Sequence, residues 1–131
     1  MERIMIIDSD IDQMRELNGG LSGDYRILNC SRGAQAMELF KLYLPSAVVL
    51  DPATPDLNTR DFIRQVRGLP SGWRQPILAL TRISRLRHIE ESFEWGVDII
   101  FSKPCSGQRI KKKLSEYLVS AERNIELAGV E

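Results

Sequence analysis

Pro45-Ser46-Ala47-Val48-Val49-Leu50-Asp51 places four apolar residues in a row and runs straight into a carboxylate. An apolar run without alternation reads as a strand covered on both faces, the kind found inside a parallel sheet. The carboxylate then marks the end at which that strand leaves the core.

Working outward, the same grammar repeats. Toward the N-terminus, Ile4-Met5-Ile6-Ile7 is a second such run, followed by Asp8-Ser9-Asp10. Asp12 to Leu21 reads as a helix with Met14, Leu17 and Leu21 on one side, its last turn weakened by Asn18-Gly19-Gly20. Tyr25 to Leu28 is a short strand. Ala34 to Leu44 is a helix with Ala36, Leu39, Phe40 and Tyr43 spaced to face a core, closed by Pro45.

Toward the C-terminus, Phe62, Ile63 and Val66 mark a third helix that ends near Gly68-Leu69-Pro70. Pro76 to Leu80 is a fourth strand. Leu86, Ile89, Phe93 and Trp95 mark a fourth helix, stopped by Gly96, and Val97 to Phe101 is the fifth strand. Ile110, Leu114, Tyr117, Leu118, Ala121 and Ile125 form one long stripe, with Lys111-Lys112-Lys113 largely off it. Five strands alternating with five helices predict an α/β domain: right-handed crossovers and a parallel sheet between helical layers. The predicted domain covers residues 1–124, and residues 125–131 are the end of the last helix and a tail.

Composition narrows the function classes. The 131 residues are one domain's worth of chain, 43% hydrophobic, and 18 basic residues balance 18 acidic ones. No net field draws the chain to nucleic acid or to a membrane surface. No apolar run approaches the roughly 20 residues that span a bilayer, and Met1-Glu2-Arg3-Ile4 opens no signal peptide. Cys30 and Cys105 lack metal or redox spacing, so they read as free thiols in a reducing, cytoplasmic setting.

In an open parallel sheet, ligands bind beyond the carboxyl ends of the strands. The residues just past those ends are Asp8-Ser9-Asp10, Asp51, Thr81-Arg82 and, after Ser102, Lys103-Pro104. Carboxylates at Asp8 and Asp51 repel unless a cation lies between them, and Mg²⁺ is a hard ion suited to the place. Lys103 and the Thr81 hydroxyl can hold an anion beside it. Such a group describes a carboxylate nucleophile for phosphorus, with cations on the phosphoryl oxygens.

At this point the chain resembles the receiver domain of response regulators (CheY-like). The resemblance covers roughly residues 3–122. It is carried by Ile6-Ile7-Asp8-Ser9-Asp10, by Pro45 to Asp51 with Pro55 four residues later, by Leu80-Thr81, by Gly96-Val97-Asp98 and by Lys103-Pro104. It implies a flavodoxin-like three-layer sandwich with strand order 2-1-3-4-5. It also implies a stand-alone member of a two-component phosphorelay, not an enzyme. Asp51 would accept a phosphoryl group from a histidine kinase or phosphotransfer protein. Asp8, Asp51, the Ala53 backbone carbonyl and Asp10 would supply the Mg²⁺ site, Thr81 and Lys103 would contact the phosphoryl group, and Lys103–Pro104 would be cis. The surface of the fourth helix, fifth strand and fifth helix would meet an effector or a second copy, through Arg85, His88, Glu91, Trp95, Asp98 and the Lys111–Lys113 region.

Several pocket residues depart from the family pattern. Ser9 stands where a second acidic residue is usual, which weakens the metal site. Pro52 follows the acceptor and has no N–H to offer. Arg82 replaces a small residue, and two readings stay open: it crowds the pocket, or it binds an anion. Thr59 replaces a glycine, and Ile100 replaces the aromatic residue that couples the pocket to the far face. The alternative these departures raise is a pseudo-receiver that signals by binding partners without phosphorylation.

Other classes fit less well. Asp8-Ser9-Asp10 partly matches the DxD motif of haloacid-dehalogenase-like phosphatases, but Ile11-Asp12 follows and the chain is short for a cap. A flavodoxin-like cofactor binder needs a Ser/Thr/Gly-rich loop where this chain is acidic. The basic cluster Arg82, Arg85, Arg87 and His88 shares its helix with Glu90, Glu91 and Glu94, so it reads as a solvated face. Trp73 reads as a loop residue that packs back onto its own domain.

Overall fold

A computed structural model describes residues 1–70, 74–82 and 86–130, with the backbone alone for 86–90 and 120–130. Trp73 and Arg85, and the side chains of Leu86, Arg87, His88, Ile89, Glu90, Ala121 and Ile125, lie outside what is described. Strands β1 (Arg3–Ile7), β2 (Arg26–Cys30), β3 (Ala47–Leu50), β4 (Ile77–Thr81) and β5 (Ile99–Ser102) form one parallel sheet in the order β2-β1-β3-β4-β5. They alternate with α1 (Ile11–Leu21), α2 (Ala36–Tyr43), α3 (Thr59–Gly68), α4 (Leu86–Trp95) and α5 (Gly107–Val130).

The continuous apolar runs are explained by two cores, one on each face of the sheet. Successive strand residues point to opposite faces. Ile4, Ile6, Ala47, Val49, Leu78 and Leu80 therefore pack against Leu17 and Leu21 of α1 and against Ile110, Leu114 and Leu118 of α5. Met5, Ile7, Val48, Leu50, Ile77 and Ala79 pack against Ala36 and Phe40 of α2 and against Phe62, Ile63 and Val66 of α3. Every residue of β3 is buried, as the opening run predicts.

Local chemistry sets the helix ends. The Asp10 carboxylate caps α1 by accepting from the Gln13 N–H (3.2 Å), and the Asn58 side chain caps α3 by accepting from the Asp61 N–H (3.0 Å). Leu44 ends α2 in the left-handed region, at φ 45°. Gly20, read from sequence as a weak point, has a packing role. A Cβ there would lie 2.6 Å from the Gly107 Cα, so the bare backbone lets α1 and α5 touch.

The structure corrects several expectations. A 3-10 turn over Gly33–Gln35 delays α2 to Ala36. Strand β2 runs from Arg26 to Cys30, and β5 begins at Ile99. Asp98 precedes β5 as a tie: its carboxylate accepts from the Ile77 N–H at 2.7 Å and from Arg67 at 3.2 Å. Tyr43, expected in the core, is 42% exposed, and Phe93 on α4 is 49% exposed. The Arg3 guanidinium covers the Tyr43 ring at 4.9 Å, and on α4 it is Ser92 that turns inward. The last helix continues past Ile125 to Val130. Among the described residues no helix is long and apolar enough to cross a membrane.

Candidate functional site

The loops after β1, β3, β4 and β5 meet at one edge of the sheet. At their centre is the Lys103 ammonium, on a side chain only 2% exposed. It donates to Asp51 Oδ2 at 2.6 Å and to Asp8 Oδ1 at 2.9 Å, and it lies 2.8 Å from Asp8 Oδ2. Asp10 Oδ2 is 3.6 Å away on the same cation. Three carboxylates that would otherwise repel thus share one buried positive charge.

Each anchor has a local cause. Asp51 N–H donates to the Ile7 carbonyl (2.8 Å), so the residue leaves β3 still attached to β1. The Ala53 N–H closes back on Asp51 Oδ1 (2.8 Å) and orients the carboxylate. The Asp10 N–H does the same for Asp8 Oδ1 (2.9 Å). The Lys103–Pro104 peptide is cis, as the resemblance implied. The Lys103 N–H donates to the Thr81 carbonyl (3.1 Å), which sets the loop after β5 beside the end of β4.

The electrostatics follow from burial and pairing. Burial pushes the Asp8 carboxyl above its ordinary pKa, against the opposing pull of Lys103 and the Asp10 N–H. For Lys103 burial is the largest single influence and acts downward. The bonds to Asp51 and Asp8 together outweigh it, so the ammonium titrates above its usual range. Asp10 is held below the ordinary carboxylate value, first by the Gln13 N–H and then by Lys103 and Arg82. Burial raises both free thiols, Cys30 and Cys105, which makes each a poor thiolate source.

The comparisons with known proteins bear on this arrangement. No protein-family model matches the chain. Its coordinates superpose on the receiver domain of a sensor histidine kinase from Pseudomonas aeruginosa with a TM-score of 0.79 at 21% identity, covering 89% of this chain and 97% of that one. The fold is that of a receiver domain. That neighbour is described with a magnesium ion coordinated in its active-site cleft. By sequence, the chain is 30% identical over 116 residues to a probable cyclic di-GMP phosphodiesterase of Vibrio cholerae, covering 88% of this chain but 26% of that protein. It is 25% identical over 118 residues to the sporulation initiation phosphotransferase F of Bacillus subtilis, covering 89% and 94%.

Asp8, Asp51 and Lys103 come together, and Thr81 closes β4 beside Ser102. Asp10 has both oxygens engaged, Oδ1 on the Gln13 N–H and Oδ2 facing Lys103 and Arg82. Ser9 and Ala53 are exposed. The Pro52 carbonyl accepts from the buried Thr59 hydroxyl at 3.3 Å, which gives the threonine a role of its own in the loop after β3. Ile100 is half-buried against the Met5/Ile7 core. Arg82 Nη2 lies 3.5 Å from Asp10 Oδ2.

Two supports were not foreseen. Gln13 is buried, donates to the Cys105 carbonyl (2.7 Å) and accepts the Cys105 N–H (2.9 Å), tying α1 to the receiver's Lys103 loop. Thr54 is also buried, its hydroxyl donating to the Asp51 carbonyl at 2.8 Å. The signal for Gln13 was its place four residues before Leu17 on the core-facing side of α1.

Proposed function

We propose that this chain is a phosphorylation-controlled receiver unit, over residues 1–124, in which Asp51 accepts a phosphoryl group. The observation that carries the reading is the Lys103 ammonium, within 3 Å of both Asp8 and Asp51 at the ligand-binding edge of the sheet. In the transfer, an Asp51 carboxylate oxygen attacks the phosphorus of a phosphohistidine on a kinase or phosphotransfer protein. The O–P bond forms, the N–P bond breaks and the imidazole leaves. Lys103 offsets charge on the phosphoryl oxygens, the Ala53 N–H holds the attacking carboxylate in orientation, and the Thr81 hydroxyl donates to a phosphoryl oxygen.

A divalent ion fits the pocket in a weak, water-rich form. Among the described residues no group of three or more Asp, Glu, His or Cys side chains is arranged to hold a metal. Asp8, Asp51 and the Ala53 carbonyl still make the small hard donor set that suits Mg²⁺ with most of its water retained. When bound, the ion would supply positive charge to the phosphoryl oxygens.

The effector surface we propose is α4–β5–α5, supported by Phe93, exposed on α4. The chain spans about a quarter of the Vibrio cholerae relative's length.

The test is an amide NMR spectrum of the chain before and after Mg²⁺ and beryllium fluoride, an acyl-phosphate mimic. Saturable shifts around Asp51, Thr81 and Lys103, absent in Asp51→Ala, are expected. A spectrum unchanged at millimolar Mg²⁺ sinks the phosphorylation reading and leaves a receiver fold that signals by binding alone.

A further inference from the structure

Among the described residues, Arg82 is the pocket cation with freedom to move. Lys103 is committed to three carboxylates, and its side chain is 2% exposed. The Arg82 side chain is 75% exposed and makes one long ion pair, 3.5 Å to Asp10 Oδ2. An exposed pair of that length is easily exchanged for a better one. Asp10 Oδ2 lies between the two cations, so the guanidinium is three contacts from the acceptor: Arg82 to Asp10, Asp10 to Lys103, and Lys103 to Asp51. Arg82 also follows Thr81, on the strand that lies between those carrying Asp51 and Lys103.

Charge balance supplies the driving force. At rest, Asp8, Asp10 and Asp51 carry three negative charges against two positive ones on Lys103 and Arg82. Phosphorylation replaces the Asp51 carboxylate with a group carrying up to one further negative charge. Ser9 leaves the pocket one carboxylate short of a strong Mg²⁺ site, so a cation of the chain itself is suited to offset part of the added charge. A guanidinium is suited to the task, because its planar fork can donate to two phosphoryl oxygens at once. A hollow of about 560 Å³, lined by Asp10, Asp12, Gln13, Glu16, Arg82 and Pro104 among others, leaves the side chain unconfined on its α1 side.

We propose that Arg82 is a second phosphoryl-binding cation, which leaves Asp10 for the phosphoryl oxygens once Asp51 is phosphorylated and shields the acyl phosphate from water. The inference rests on Asp51 being the acceptor. The reaction it slows is hydrolysis. A water oxygen attacks phosphorus, the bond from phosphorus to the Asp51 oxygen breaks, and the Asp51 carboxylate and inorganic phosphate are released with the water's proton passing to solvent. The guanidinium over the exposed phosphoryl oxygens obstructs that approach.

The experiment labels the wild type, Arg82→Ala, Arg82→Lys and Asp51→Ala with acetyl phosphate and Mg²⁺. It then removes the donor and follows the label by intact mass. Beryllium fluoride affinity is measured on the same proteins, and their melting curves confirm that they are folded. Arg82→Ala is expected to lose its label about tenfold faster and to bind beryllium fluoride about tenfold more weakly, with Arg82→Lys in between. Equal decay and equal affinity in the wild type and Arg82→Ala overturn the role of Arg82 while leaving the acceptor standing. Slower decay in Arg82→Ala overturns it as well, since the arginine would then be exposing the acyl phosphate. A wild type that takes no Asp51-dependent label removes the proposed function, and this inference with it.

Discussion

At the scale of single residues, the pocket is governed by one buried ammonium. Lys103→Met leaves Asp8 and Asp51 facing each other without a counter-charge, and breaking a buried pair in this way costs about 3 kcal/mol or more. The loss should appear at pH 7 and shrink at pH 5, measured as urea midpoints of the variant and the wild type. The sign follows from the raised carboxyl. A folded-state pKa above the unfolded one means that ionised Asp8 costs stability at high pH, and the cost fades as pH falls through the folded value. Removing Lys103 raises that value further, so acid relieves the variant more than the wild type. Lys103 is also raised, so its stabilising charge persists throughout that window and is lost only as pH climbs through its own folded value. A variant whose deficit is the same at both pH values would contradict this account. The acidic residues and the lysine were legible in sequence because each directly follows a strand or nearly so. The Asp10–Arg82 pair was not, since the two residues are separated by 72 positions and meet only across folded loops.

At the scale of elements, the two glycines of α1 make a controlled comparison. Nothing lies within 4 Å of a Cβ built at Gly19, so Gly19→Ala should stabilise the domain by about 0.5–1 kcal/mol through helix propensity. At Gly20 the same change drives a methyl group into the Gly107 backbone at 2.6 Å, and about 1–3 kcal/mol of stability should be lost. Thermal melts of the two variants check the pair, and a shift of the same sign in both would refute the close approach. Reading from sequence alone treated both glycines as weak helix residues, because propensity is local and the partner at position 107 is not. The facing of α4 was left open for a related reason: the helix closes through Gly96 at φ 109° with the Val97 N–H returning to the Ser92 carbonyl, and Ser92 is buried while Phe93 is exposed.

At the scale of the whole molecule, β1, β3 and β4 are paired on both sides and β2 and β5 on one side only. Amide hydrogen exchange should therefore be slowest in β1, β3 and β4, opening there only with global unfolding, and faster at both edges. Protection in β2 or β5 equal to that in β3 would show a second element covering the edge. The sequence alone determined the order of strands and helices, the two-faced burial of the central strands and the edge at which charge collects. All three depend on neighbours within one element, where side-chain period and chain punctuation act locally. Tertiary structure alone decided that Lys103 reaches Asp8 across 95 residues, that Gln13 grips Cys105 across 92, and that Gly20 meets Gly107. Those contacts come from packing two helical layers against one sheet, and distances set by such packing leave no periodic trace in the chain.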